Sequence, residues 1–169
     1  AGRMLQLIRE RMPGVRTMIG GHHASAIPEE TLRTEAVDYV IQGEGFLPAV
    51  ALLASLKKGN QSHSIEGVWY RDSRGNIERS GRAQGVRNLD ELPFAAWDLL
   101  PMDLYRAHHW QAWDYNLDQK GFAVLHTSLG CPFNCDYCSV NVVYGKRGTR
   151  YRSPEHVVAE LEFLVEQYG

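Results

Sequence analysis

Two short apolar stretches that end in glycines alternate with helical patterns over the first 60 residues. Residues 15–21 and 37–45 predict buried strands, which end at Gly20-Gly21 and at Gly43-Glu44-Gly45. Apolar residues at helical spacing come before, between and after these strands. Helix, strand, helix, strand, helix is the order expected of a parallel α/β sheet. We therefore predict an α/β fold with part of a doubly wound parallel sheet of the flavodoxin or Rossmann type.

The pattern changes after residue 60. Residues 65–81 predict a β-hairpin, because turn-forming residues 72–76 separate two strand-like stretches. Residues 82–118 are rich in Pro and Trp and show little periodicity, which favours an ordered connector. An apolar strand over residues 121–130 then leads into a loop that contains three cysteines.

A final helix is predicted after Ser153, which is suited to cap it, with Pro154 at the first helical position. Its expected buried stripe consists of Val157, Val158, Leu161, Leu164, Val165 and Tyr168. Strand, cysteine loop and helix would form the first βα unit of a further domain. The chain is thus predicted to divide into residues 1–60, 61–120 and 121–169.

Composition sets limits on partners and location. A formal net charge of −2 gives no reason to expect a nucleic-acid partner. No apolar run approaches the roughly 20 residues of a membrane span, and no signal-peptide pattern is present. With three clustered cysteines rather than a disulfide framework, the chain is expected to be cytoplasmic. Because it begins at Ala1 inside a helical pattern, we expect a segment of a longer protein.

Cys131, Cys135 and Cys138 are all the cysteines of the chain, and they lie within eight residues. Iron–sulfur clusters are held by thiolates, and this spacing lets one loop supply several of them. Three thiolates would leave one iron of a [4Fe–4S] cluster free to bind a small molecule. Two alternatives remain open: a zinc site with His126 or another histidine as fourth ligand, and cysteines that only pack in a core.

The spacing Cys131-x-x-x-Cys135-x-x-Cys138 resembles the signature of radical S-adenosylmethionine enzymes. The wider stretch TSLGCPFNCDYCS, residues 127–139, resembles the form found where a cobalamin-binding domain precedes the radical domain; it has Leu129 where many relatives carry Arg. The resemblance implies that the three cysteines ligate a [4Fe–4S] cluster and that S-adenosylmethionine chelates the fourth iron. It places Tyr137 near the adenine, and it makes residues 121–169 the beginning of a partial (β/α) barrel.

With that resemblance, residues 1–60 look like the latter part of a cobalamin-binding domain. Gly20, Gly21, Gly43, Glu44 and Gly45 are then candidates for contacts with the nucleotide tail of cobalamin. Glycines at strand ends also simply permit tight turns, so both interpretations stay open. Phe46 stands where relatives commonly have a second Glu after Gly-Glu-Gly.

Several other residues carry weaker predictions. His22 and His23 could approach a ligand, but hydrogen-bonded loop histidines are the preferred interpretation. The cluster of His108, His109, Trp110 and Trp113 is interpreted as packing rather than as a substrate lid. The basic residues after the cysteine loop could neutralise an anionic cofactor or only face solvent; they are Lys146, Arg147, Arg150 and Arg152.

The function implied by the resemblance is reductive cleavage of S-adenosylmethionine to a 5′-deoxyadenosyl radical. Cobalamin would take part in a methyl transfer, or in a ring rearrangement or cyclisation. A small-molecule substrate and an electron donor of the flavodoxin or ferredoxin type are the expected partners. No side chain is assigned as catalytic, and the segment by itself is expected to be inactive. A non-catalytic module that binds cobalamin or zinc is the alternative.

Overall fold

The computed structural model describes residues 1–59, 65–107, 121–133, 135–145 and 148–169. These residues form two compact units. The first contains residues 1–86 and 130–148, and the second contains residues 87–129 and 149–169. The domain boundaries predicted after residues 60 and 120 stay a prediction.

The first unit is built around a four-stranded mixed sheet in the order β1-β2-β3-β4. Strands β1 (Met18–Ile19) and β2 (Tyr39–Ile41) are parallel, as the alternating pattern predicts. Strands β3 (Val68–Arg71) and β4 (Ile77–Arg79) form the predicted hairpin. The predicted α/β fold class is confirmed, although both parallel strands are shorter than the apolar runs that contain them.

Strand β3 pairs with β2 in antiparallel register, with Val40 opposite Trp69. The hairpin therefore extends the sheet of the first unit, although the sequence predicted that it belongs to a connector. The physical reason for this pairing is burial. Val40 of β2 and Val68 of β3 both lie in the paired stretch, and neither is exposed to solvent.

Four helices of the described residues accompany this sheet, and the bounds of all but the second follow the sequence signals closely. They are α1 (Gly2–Arg11), α2 (His22–Ala26), α3 (Pro28–Thr34) and α4 (Phe46–Lys57). The hydrophobic core joins helix and sheet residues: Leu5, Ala24, Leu32, Val37, Val40 and Trp69. The interpretation of His22 and His23 as loop residues is wrong, because they begin α2; both are exposed.

Two further strands, β5 (Ser128–Cys131) and β6 (Gly148–Tyr151), form a separate two-stranded sheet. The strand predicted over residues 121–130 is wrong in its first part, because apart from an isolated bridge between Gly121 and Arg106 the strand begins at Ser128. The region expected to be a loop after the cysteines also contains the short helix α5 (Val140–Tyr144) and β6. Arg150 therefore lies on a strand rather than in a solvated loop.

In the second unit, the predicted ordered connector contains three short 3₁₀ helices: Leu89–Glu91, Trp97–Leu99 and Met102–Leu104. Helix α6 (Pro154–Tyr168) begins as predicted, and the Ser153 hydroxyl accepts a hydrogen bond from the His156 amide at 3.1 Å. Its predicted buried stripe is wrong in most positions.

Only Leu164 of that stripe is buried, whereas Val158, Leu161, Val165 and Tyr168 are exposed. The reason is that neighbours in this unit contact a different face of α6. Phe94 packs against His156 and Phe163, and Trp97 bonds to Glu160.

Candidate functional site

The five residues predicted to contact cobalamin lie at one edge of the sheet. Gly20 and Gly21 follow β1, and the turn Gly43-Glu44-Gly45 follows β2 shortly after its last residue. Because the two strands are parallel, with Met18 opposite Tyr39, both turns lie at the carboxyl edge. Open α/β sheets bind ligands at that edge.

Two of these glycines have a conformational reason to be glycine. Gly21 has φ of 97° and Gly43 has φ of 89°, a region that favours glycine. At both positions the structure supports the interpretation that glycine serves a tight turn.

Gly20 and Gly45 differ, because neither has a positive φ. A Cβ atom on Gly20 would lie 3.7 Å from Ile41, and one on Gly45 would lie 4.0 Å from the Ile41 Cγ2 atom. These are ordinary van der Waals distances, so the described fold has room for a larger residue at either position. A ligand that approaches the backbone closely would explain the absence of side chains there.

Glu44 is 5% exposed, and its Oε1 atom accepts a hydrogen bond from the Val86 amide at 3.1 Å. A buried carboxylate needs such donors to offset its desolvation. Glu44 thus fixes the chain after the hairpin to the turn at the sheet edge.

A second set of bonds shapes the same turn, and sequence reasoning missed it. The buried Ser25 hydroxyl accepts from the Gly43 amide at 2.9 Å, and the Ser25 carbonyl accepts from Gln42 Nε2 at 3.2 Å. Trp69 Nε1 donates to Gln42 Oε1 at 3.0 Å. Each partner comes from a different element, so no local sequence signal could have identified the set.

The cysteine loop begins at the end of β5. Cys131 is the last residue of that strand and is half-buried, whereas Cys135 and Cys138 are exposed. The Cys138 amide donates to the Cys135 carbonyl at 3.0 Å, which closes a tight turn between them. Tyr137 lies within this turn and is 92% exposed.

The three thiols are free and share one loop. Among the described residues, however, no group of three or more His, Cys, Asp or Glu side chains is arranged to hold a metal ion. The donor chemistry nevertheless fits an iron–sulfur cluster, since thiolates are its ligands and two of the three are open to solvent. Metal sites commonly become ordered only as the metal binds.

Helix α5 begins two residues after Cys138 and lies in the same unit as the sheet. Arg82, just beyond the hairpin, donates from Nη2 to the Val142 carbonyl at 2.6 Å. A cavity of about 670 Å³ lies here, lined by Glu44, by residues 82–85 and by residues 143–145.

The second unit contains a buried ion pair between Arg152 and Glu160, with Nη1 and Oε2 2.6 Å apart. Glu160 Oε1 also accepts from Trp97 Nε1 at 2.8 Å and from the Ala95 amide at 3.1 Å. Burial tends to raise the pKa of Glu160, but these hydrogen bonds and Arg152 hold it below its usual range.

Arg152 also contacts the residues that immediately precede β5. Its Nη1 atom donates to the His126 carbonyl at 3.2 Å, and its amide donates to the Thr127 carbonyl at 2.9 Å. Of the two alternatives left open for Arg152, the one in which it only faces solvent is wrong, since the Glu160 pair and these bonds make it part of the packing of the second unit.

Asp90, in the 3₁₀ helix Leu89–Glu91, accepts from the amide of Ser153, the residue that caps α6, at 2.9 Å. Hydrogen bonds from Ser153, together with the charges of His156 and Arg152, lower the pKa of Asp90. The predictions for His108, His109, Trp110, Trp113, Lys146 and Arg147 lie outside the described residues.

No helix in the described ranges is both long and apolar enough to cross a membrane.

The fold and the loop together define a class: an α/β unit that combines a glycine-rich carboxyl sheet edge with a loop of free thiols. Residues 1–53 match the family model of the B12 binding domain.

The chain is 38% identical over 153 residues to an uncharacterized methyltransferase of Pyrococcus horikoshii, across 90% of this chain and 31% of that protein. It is 27% identical to the anaerobic magnesium-protoporphyrin IX monomethyl ester cyclase of Rubrivivax gelatinosus, across 99% of this chain and 29% of the cyclase. The chain thus spans about a third of the length of these relatives.

Among solved structures, the chain is similar to the radical S-adenosylmethionine methyltransferase TsrM of Kitasatospora setae, solved with cobalamin and a [4Fe-4S] cluster bound. The TM-score is 0.61 at 20% identity, across 98% of this chain and 32% of TsrM. The resemblance to radical S-adenosylmethionine enzymes with a cobalamin-binding domain, predicted from the cysteine loop, is confirmed.

Proposed function

We propose that this chain belongs to an enzyme that binds a [4Fe–4S] cluster through Cys131, Cys135 and Cys138 and cleaves S-adenosylmethionine reductively. The observation that carries the proposal is the loop of three free thiols in one compact unit with a B12-binding-type sheet edge. When bound, the cluster supplies the electron that splits the sulfonium cofactor into methionine and a 5′-deoxyadenosyl radical.

The chain's own contribution is to hold and orient these cofactors. Three cysteine thiolates satisfy three irons and leave the fourth without a protein ligand. Tyr137, exposed between two of the cysteines, is available to pack against the adenine of S-adenosylmethionine.

Cobalamin is the proposed ligand of the carboxyl edge. Gly20 and Gly45 support this, because the fold leaves room at both positions for a side chain that the sequence omits. Gly21, Gly43 and Glu44 would act by shaping and anchoring the turns that approach the ligand. The reaction would be a methyl transfer or a cyclisation on a small molecule, with an electron donor of the flavodoxin or ferredoxin type.

Anaerobic reconstitution of the full-length protein with iron and sulfide tests this proposal. We expect about four irons per chain with brown charge-transfer absorption, and loss of both in Cys135→Ala, because a thiolate ligand is removed. Ser139→Ala is the matched control: Ser139 follows the last cysteine, and its side chain makes no capping bond to α5.

Uptake by Ser139→Ala should equal that of the unaltered protein. A single tightly held zinc without iron uptake would contradict the proposal and favour a zinc-binding module instead.

A further inference from the structure

The C-terminal end of helix α5 is bonded to an arginine from a distant part of the first unit. Arg82 Nη2 donates to the Val142 carbonyl at 2.6 Å and to the Asn141 carbonyl at 3.3 Å. The Asn141 carbonyl also accepts from the Gly145 amide at 3.0 Å, so Arg82 adds to the bonding of this helix end. A cation at the C-terminal end of a helix also interacts favourably with the helix dipole. Arg82 therefore caps this helix from outside it.

The same contact lies against the turn at the sheet edge. A Cβ atom on Gly43 would lie 3.5 Å from the Val143 carbonyl oxygen and 3.8 Å from Arg82 Nε. At the end of α5, Gly145 has φ of +80°, and its Cβ position is 3.9 Å from Arg82 Nη2. The turn, the guanidinium and the end of α5 thus meet at one place.

The chain holds Arg82 on both sides. Before it, the Gly67 amide donates to the Gly81 carbonyl at 2.8 Å. After it, the Val86 amide donates to the buried Glu44 at 3.1 Å. A Cβ atom on Gly67 would approach Ala83 to 2.8 Å, so this segment packs closely on the hairpin. The side chain of Arg82 is exposed. The backbone from which it extends is nevertheless held in place by these contacts.

We propose that Arg82 is a positioning residue that fixes the cysteine loop against the carboxyl edge of the sheet. Helix α5 has five residues, too few to be stable by itself, so its contacts determine its position. Because α5 begins two residues after Cys138, that position constrains the last cysteine of the loop. The functional meaning rests on the proposed function: Arg82 would keep the cluster loop and the proposed cobalamin edge in a fixed arrangement.

Amide hydrogen exchange in the cluster-free, full-length protein tests the contact directly. In Arg82→Met we expect exchange of the Tyr144 and Gly145 amides to rise about fivefold, since a hydrogen bond to this helix end is lost. Arg82→Lys retains the charge and one donor, so it should restore most of the protection. Exchange in β3 should stay unchanged, which shows that the fold is kept.

Arg79→Met is the matched control. Arg79 is exposed, lies three residues earlier and stacks over Trp69 at 5.3 Å, without a bond to α5. It should leave the α5 amides as in the unaltered protein. Unchanged exchange in Arg82→Met, or an equal rise in Arg79→Met, would overturn the proposal.

A spectroscopic measurement separates positioning from simple stabilisation. In the reconstituted, reduced protein, S-adenosylmethionine should shift the electron paramagnetic resonance signal of the cluster. We expect Arg82→Met to keep the iron content but alter this shift, and Arg82→Lys to restore it. A normal shift in Arg82→Met would reduce Arg82 to a helix cap and overturn its positioning role.

Failure of the proposed function gives a different result. If the unaltered protein takes up no iron, the cofactor proposal fails, whereas the exchange measurement still decides whether Arg82 fixes α5.

Discussion

At the scale of single residues, the glycines at the sheet edge separate into two pairs. Gly21 and Gly43 have left-handed backbones, which any other residue would adopt only with strain. Gly20 and Gly45 have ordinary backbones and room for a Cβ atom. The chain itself explains the first pair, and the proposed cobalamin would explain the second.

This difference predicts opposite effects of alanine substitution. Gly21→Ala and Gly43→Ala should lower the free energy of unfolding by about 1 to 2 kcal/mol, because the added Cβ disfavours the left-handed backbone. Gly20→Ala and Gly45→Ala should leave stability unchanged. Their effect should be about tenfold weaker cobalamin binding, from steric overlap with the ligand.

Thermal unfolding and the cobalamin retained after gel filtration of the full-length protein measure the two effects. If Gly20→Ala and Gly45→Ala retain cobalamin as the unaltered protein does, the ligand explanation of these glycines is wrong.

At the scale of elements, Glu160 joins α6 to the connector. It accepts from Trp97 and from Ala95 and pairs with Arg152, all inside the second unit. Removal of one partner of a buried pair leaves an uncompensated charge. Glu160→Gln should therefore lower the free energy of unfolding by about 3 kcal/mol, measured by urea denaturation.

Glu162→Gln is the control for that variant, since Glu162 lies on the same helix and is exposed. It should change stability little. An equal loss of unfolding free energy in the two variants would contradict this prediction, because the buried bonds of Glu160 would then add no stability beyond that of an exposed glutamate.

Acid should weaken the same connection. The pKa values of Glu160 and Asp90 are lowered in the folded protein from ordinary values of 4.5 and 3.8. The unfolded chain then binds more protons than the folded chain at acidic pH. Both groups therefore stabilise the fold at pH values above their ordinary pKa values. This stabilisation is lost as the pH falls through the lowered pKa values of the folded protein.

Thermal unfolding between pH 3 and pH 7 measures this loss. In Glu160→Gln the decline below about pH 4.5 should be shallower, because one titrating group is absent. An identical decline in both proteins would exclude Glu160 as a source of the acid sensitivity.

Local signals predicted most elements of the first unit, its parallel strands and its hairpin, but not that the hairpin pairs with the parallel strands. Pro28, the paired glycines and the turn residues 72–76 each identify an element from neighbouring residues. The pairing of β3 with β2, by contrast, joins residues about 30 positions apart. Helix α6 shows the same limit: its caps are local and were predicted, whereas its buried face depends on Phe94 and Trp97.

At the scale of the whole molecule, the cysteine loop belongs to the same compact unit as the B12-binding-type sheet. The sequence predicted the three cysteines as candidate cluster ligands, because their spacing is a local pattern. It did not predict Ser25, Gln42 or Arg82, which act through contacts between distant segments. The chain spans about a third of the length of these relatives.

The central claim is that three cysteines hold a four-iron cluster and leave one iron for S-adenosylmethionine. Mössbauer spectroscopy of the full-length protein, reconstituted with ⁵⁷Fe, tests it most directly. The account predicts that S-adenosylmethionine changes the signal of one iron in four and leaves the other three unaltered. A spectrum that does not respond to the cofactor, or a protein that takes up no iron, would contradict it.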